Sequence, residues 1–162
     1  MKYINATPEK KAVFPIAIVV SLFNRPITQA LQDGALEALE LAGFLPEHIT
    51  LIEVPGAVEI PLVAKQLAKQ HKFGAIIALG AVVRGETTHY DYVCEQVSTG
   101  CQQITLAYDV PVVFGVLTTE NEAQAWDRLG GAHGHKGHDA VACALSMHHI
   151  LQTLEHDNGL GQ

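Results

Sequence analysis

Apolar runs alternate with amphipathic stretches from one end of the chain to the other. Residues 14–21 (FPIAIVVS), 49–54 (ITLIEV), 74–83 (GAIIALGAVV) and 111–117 (PVVFGVL) read as strands, being short, rich in Val and Ile, and bounded by Gly, Pro or polar residues. Between and after them apolar positions recur at helical spacing. The first such stretch, 26–43, carries its stripe through Leu31, Ala35, Leu39 and Ala42, and the second, 58–71, through Val63 and Leu67. A third helix opens at His89, and two more lie near 121–129 and 137–155. Pro26 stands where a first helical turn tolerates it and Gly43 where a helix commonly ends. Continuous apolar strands separated by helices specify a parallel sheet covered on both faces. The order β-α-β-α-β-α-β-α-α implies a flavodoxin-like three-layer α/β/α sandwich on a four-stranded parallel sheet.

Length adds that 162 residues suit one domain, 1–162, with polar ends at 1–11 and 157–162 expected to fray unless a neighbouring subunit holds the N-terminal arm. The hydrophobic fraction is 48% and the mean hydropathy is positive, yet no apolar run reaches the length of a membrane span. The surplus is better explained by subunit interfaces, so an oligomer is expected. The first twenty residues have a few lysines before an apolar stretch, but Pro15 interrupts it and no signal-peptide cleavage pattern follows. Cys94, Cys101 and Cys143 make an odd count, and if the first two share a helix, roughly 10 Å of axis separates them, which excludes a disulfide. The expected compartment is a reducing cytoplasm. A formal net charge of −7 argues against general nucleic-acid binding but not against a small anion met by a few local donors.

In such a sheet the carboxyl ends of the strands share one edge, so the segments that follow them can form one pocket. The most informative is Leu79 to Val93 (LGAVVRGETTHYDYV), an apolar strand running into a Gly/Thr turn and then a helix opening with His89. Small residues there let backbone N–H groups approach an anion, and the helix start adds its positive dipole end. Strand-turn-helix corners of this kind are common, however, and Thr87 or Thr88 serves equally as an N-cap. The other ends give Ser21-Leu22-Phe23-Asn24-Arg25, Val54-Pro55-Gly56-Ala57-Val58-Glu59 and Phe114-Gly115-Val116-Leu117-Thr118-Thr119. Together they supply flat apolar surface, backbone donors, a carboxylate and an imidazole, an inventory suited to a planar heterocycle bearing hydroxyl groups.

Each of these has a plainer account. Phe23 and Phe114 taken singly are more often core than ligand platform. Glu59 is as well placed to cap its own helix, and Arg128 to meet exposed carbonyls at a helix end. The stretch Gly130 to Asp139 (GGAHGHKGHD) tempts a metal reading, but its histidines lack the spacing of a zinc finger or of a helical H-E-x-x-H site. A Gly-rich connection between two helices fits it better.

Taken together, FNRPIT, VPGAVEIP, GAVVRGETTHYDYV, PVVFGVLTTE, WDRLGG and HKG, in this order and spacing, resemble the 6,7-dimethyl-8-ribityllumazine synthase family over nearly the whole chain. The resemblance implies a single lumazine synthase domain. It also implies condensation of 5-amino-6-(D-ribitylamino)uracil with 3,4-dihydroxy-2-butanone 4-phosphate, releasing phosphate and water, the penultimate step of riboflavin biosynthesis. It implies that Phe23, beside Asn24, stacks on the pyrimidine, that Ala57, Val58 and Glu59 hold the ribityl chain, and that Ala81, Val82 and Val83 meet the ring edge. Glu86, Thr87 and Arg128 fall at the phosphate, and His89 becomes the proton carrier. Phe114, Arg128 and Lys136 reach the site from the adjacent subunit.

No redox cofactor or metal is expected, because every step moves protons on an activated substrate pair. The implied partners are the two substrates, further copies of the chain in pentamers that build an icosahedral shell, and riboflavin synthase; neither nucleic acid nor membrane is among them. His133 and His135 depart from what relatives often carry. A non-catalytic flavodoxin-like flavin or nucleotide carrier, or a weakly active shell protein kept for storage, are the rival readings.

Overall fold

In the computed structural model, which describes residues 1–8 and 12–159, the four predicted strands form one parallel sheet. The strands are β1 (Ile16–Ser21), β2 (Ile49–Val54), β3 (Ala75–Val83) and β4 (Val112–Thr119), in the order β2-β1-β3-β4. Helices α1 (Arg25–Leu41), α2 (Ile60–Ala68), α3 (His89–Tyr108), α4 (Glu122–Trp126) and α5 (Lys136–Gly159) complete the main frame. Residues 9–11 of the expected arm and 160–162 of the expected tail lie outside the described residues; the tail's start, from Asp157, belongs to α5.

Two cores follow from the period of two along the strands. Ile16, Ile18 and Val20 of β1 and Ala75, Ile77 and Leu79 of β3 face α1 and α5, where Leu31, Ala35, Leu39, Val141 and Ala144 close the layer. Ala17 and Val19 with Ile76 and Ala78 face α2 and α3, against Ile60, Ala64, Val97 and Cys101. Because both faces are covered, the central strands carry no polar alternation, which explains the continuous apolar runs in the sequence. Their burial accounts for most of the fold's stabilisation, at about 25 cal/mol per Å² of apolar surface.

Helix boundaries follow local chemistry. Proline lies in the first turn of α1, and α1 ends in a Schellman arrangement: Gly43 at φ 94° lets its N–H reach Glu40 O at 2.9 Å and that of Phe44 reach Leu39 O at 3.0 Å. Pro15 lacks an N–H for the ladder, and β1 begins one residue later, at Ile16. The expected helix over 58–71 is divided into a 3₁₀ turn, Ala57–Glu59, and the shorter α2.

Two expectations are corrected. Phe114 to Thr119 is not a segment beyond a strand: β4 runs to Thr119, and Phe114 pairs with Ala78 well inside the sheet. Nor is Gly130 to Asp139 only a connection, because β5 (Leu129–Gly131) and β6 (Gly134–His135) form a small antiparallel hairpin before α5. Gly130, at the irregularity of β5, has φ 95° and Gly134, opening β6, has φ 72°, conformations that L side chains rarely adopt.

Candidate active site

The sheet order reverses between β1 and β3. Chain leaving β1 passes through α1 to one side, while chain leaving β2 crosses through α2 to the other, and a crevice opens at the carboxyl ends between them. A cleft of 670 Å³ occupies it, large enough for a small organic ligand. Its walls bring Phe23, Ala57, Val58, Glu59, Ala81, Val82, Val83, Thr87 and His89 together from three strand ends that are far apart in sequence.

The first wall comes from the loop after β1. Leu22 N donates to Val54 O at 2.8 Å and Phe23 N to Pro55 O at 3.0 Å, stitching this loop to the one after β2. Asn24 holds a left-handed conformation (φ 59°) and its Nδ2 donates to Ala81 O at 3.0 Å, tying the loop to β3 as well. So anchored, Phe23 projects outward with 71% of its surface exposed, and it is no part of the core. Asn24 does not line the cleft; its place is the hinge beneath Phe23.

Glu59 occupies the N-cap position of α2, yet its side chain makes no capping hydrogen bond and its carboxylate lines the cleft. A Cβ at Gly56 would stand 2.9 Å from Glu59 Oε2, so glycine there leaves the carboxylate room to lie over the backbone. Behind the third wall, β3 ends and the exposed turn Gly85–Thr88 leads into α3. Thr88 holds the N-cap position without a side-chain cap, while Thr87 Oγ1 accepts from His89 N at 3.3 Å. His89 is thus the first helical residue, exposed to the cleft. Glu86 lies on the same turn but outside the cleft lining.

Arg84 opens that turn. Its N donates to Thr119 O at 2.9 Å, its Nε to Glu120 Oε2 at 2.6 Å and its Nη2 to Asp91 Oδ1 at 3.2 Å, and its guanidinium lies 4.2 Å over the Tyr90 ring. The hydrogen bond to Glu120, and then that to Asp91, hold its pKa above the ordinary arginine value. Tyr90 faces the cleft, and burial followed by its Cys94 neighbour pushes its phenol pKa upward. Burial likewise raises that of the Cys94 thiol.

Tyr90, Tyr92, Val93 and Gln96 of α3 also line the cleft, and sequence reading did not single them out. The signal was present, since Val93 and Gln96 follow His89 at the i+4 and i+7 positions of one helix face. Phe114 and Lys136 lie elsewhere, in a 530 Å³ groove between α3 and α5 along the outer edge of β4. Arg128, just past α4, donates from Nη1 to Gln124 O at 2.8 Å, meeting a helix-end carbonyl. Within one chain these three residues do not reach the cleft that holds Phe23 and His89.

Residues 14–152 match the model of the 6,7-dimethyl-8-ribityllumazine synthase family. The chain belongs to that family. Lumazine synthase relatives include 6,7-dimethyl-8-ribityllumazine synthases of Coxiella burnetii strains CbuG_Q212 and RSA 493 / Nine Mile phase I. Each is 52% identical over 142 residues, covering 88% of this chain and 94% of the relative. The enzyme of strain Dugway 5J108-111 matches with the same identity and coverage. The lumazine synthase match takes in every strand of the sheet and every wall of the cleft, from Phe23 to Gln96.

Proposed function

We propose that the chain condenses 5-amino-6-(D-ribitylamino)uracil with 3,4-dihydroxy-2-butanone 4-phosphate to give 6,7-dimethyl-8-ribityllumazine, phosphate and water, the penultimate step of riboflavin biosynthesis. The observation that carries this reading is the cleft itself, in a chain of this family: an exposed aromatic platform, a free carboxylate and a Gly/Thr turn with an imidazole converge on one crevice. Phe23 stacks on the pyrimidine, while Ala57, Val58 and Glu59 receive the ribityl hydroxyls. The backbone of Ala81, Val82 and Val83 meets the ring edge, and Glu86 and Thr87 stand at the phosphate with the start of α3 behind them.

The chemistry suits this equipment. The 5-amino group attacks the ketone, and loss of water gives an imine. Departure of phosphate with loss of a proton gives an enol, which rearranges to a ketone. The ribitylamino nitrogen then closes the ring with loss of a second water. Each step relocates protons without net oxidation, so the role of His89 is to carry them near neutral pH. Much of the acceleration comes from holding two reactants in one cleft.

Among the described residues no lysine or arginine lines the cleft of a single chain, and Arg84 beside it is committed to two carboxylates. Phe114, Arg128 and Lys136 of an adjacent copy supply what is missing, which makes the working site a property of a ring of subunits. The grooved outer edge of β4, where Phe114 and Lys136 lie, supports this arrangement by placing them on a face open to a neighbour. We place the protein in the cytoplasm as one domain over 1–162, assembled as pentamers that build an icosahedral shell, with riboflavin synthase, which consumes the product, as a partner. Mixing the purified protein with the two substrates tests the reaction: fluorescent lumazine is expected at a rate well above the uncatalysed mixture, and none overturns the assignment.

A further inference from the structure

We propose that Arg84 is a positioning residue for the anion-binding turn, holding Gly85–His89 and the Tyr90 wall in place through Glu120 and Asp91 instead of contacting substrate itself. The inference rests on the reading above, in which that turn receives the phosphate. The turn is a weak element by itself. Residues 85–89 are all exposed, and the turn's own hydrogen bonds among the described residues lie at its ends, at Arg84 N, at His89 N and at Asp91 N, which donates to Thr88 O at 3.0 Å. Exposed backbone with few packed neighbours opens readily, which suits a ligand loop only if something fixes its frame.

Arg84 bridges three elements. Its backbone pairs with the last residue of β4, its Nε reaches Glu120 in the link to α4, and its Nη2 reaches Asp91 in the first turn of α3. The planar fork matches two carboxylates at once and lies over the Tyr90 ring, which forms part of the cleft. Glu120 is fixed in turn: its N donates to Gln124 Oε1 at 2.9 Å, and the link to α4 is capped where Asn121 Oδ1 accepts from Gln124 N at 2.9 Å. With a carboxylate on either side, the guanidinium has little charge left to offer an incoming phosphate. On this chain's side of the site the adjacent backbone amides of the turn then meet the phosphate, in a frame that Arg84 sets.

The test uses the assembled protein and the variants Arg84→Gln, Glu120→Gln and their combination, with inorganic phosphate as the probe. A positioning role predicts that each single change weakens phosphate binding on the order of tenfold. The KM for the phosphorylated substrate should rise by a similar factor while kcat at saturation moves much less. The double variant should be no worse than the poorer single one, because both changes break the same unit. A direct anion contact predicts the opposite for Glu120→Gln, since freeing the guanidinium would tighten phosphate or leave it unchanged; that result overturns the proposal, as do singles that bind phosphate like the wild type. Thermal unfolding of Glu120→Gln, which keeps its shape, separates a local effect from loss of the fold. Wild-type protein that makes no lumazine removes the enzymatic reading, yet the phosphate affinities of the four proteins still decide the role of Arg84.

Discussion

The side chains proposed to act on substrate differ in how far water can replace them. His89 sits exposed at the start of α3, where solvent reaches it freely. Positioned acid/base groups contribute on the order of 10²–10⁴-fold when the reaction depends on them, but imine formation between an amine and a ketone proceeds in water, so part of the proton traffic survives without the imidazole. A phosphate leaving without a guanidinium is both poorly bound and poorly stabilised. Arg128→Ala is therefore expected to lose more kcat/KM than His89→Ala. Steady-state assays of both purified variants, with assembly confirmed, decide the ranking; a His89 variant clearly worse than the Arg128 variant reverses it. Legibility at this scale divides along physical lines. Phe23, Glu59 and His89 were readable because each follows a strand end, and strand ends converge. The partners of Arg84 were not, because Asp91 and Glu120 lie seven and thirty-six residues away and meet only once β3 and β4 are in register.

Between elements, α5 packs closely on the backbone of α1. A Cβ at Gly137 would stand 2.5 Å from Leu31 O and 3.0 Å from Ala35 N, contacts with backbone that cannot swing aside. Gly137→Ala is expected to destabilise by about 1–3 kcal/mol through overpacking, read as a shift in the urea midpoint at unchanged slope. That helix and the hairpin before it each carry a histidine that resists protonation. His148 stacks on Phe14 with ring centroids 3.6 Å apart and packs against Gly74, and burial pushes its pKa down against smaller raising effects from Gly74 and Glu155. Burial and then His138 lower that of His135, whose ring lies against Gly34 and stacks on His138 at 4.5 Å. Depressed values mean that the unfolded chain takes up protons first. Stability is then full above the ordinary histidine pKa of about 6.5 and declines as pH falls from there toward the lower folded values. Urea unfolding between pH 7.5 and 5 should show that decline, and His148→Gln should flatten it; an unchanged slope in the variant would mean that other groups carry the effect. The hairpin that contains His135 shows why sequence periodicity missed an element: strands of three and two residues have no period to detect, and glycines at positive φ within them let the short ladder form.

At the scale of the molecule, the single chain leaves apolar surface uncovered. Leu62, Tyr92 and Leu106 are each more than half exposed, and Trp126 and Met147 are also open, on faces belonging to α2, α3, α4 and α5. Several faces exposed at once suit a closed ring better than a single dimer contact. We expect the connection before α5 to influence whether rings then join into a shell. Its few residues, drawn into the β5–β6 hairpin, keep that corner short, and three histidines, His133, His135 and His138, cluster around it. Their surroundings differ. His135 is partly buried against α1, and His138 Nε2 lies 3.1 Å from Glu37 Oε2. His133 is exposed, with a carboxylate neither beside it in sequence nor paired to it among the described residues. We expect hollow icosahedral shells at neutral pH, and His133→Asn, which changes an exposed side chain of this short connection, to leave them assembled. Light scattering and negative-stain microscopy across pH and concentration read both effects. A uniform population of isolated or paired pentamers at neutral pH would sink the shell while leaving the ring and its chemistry intact, and a His133→Asn variant that stops at pentamers would make that side chain part of a shell contact.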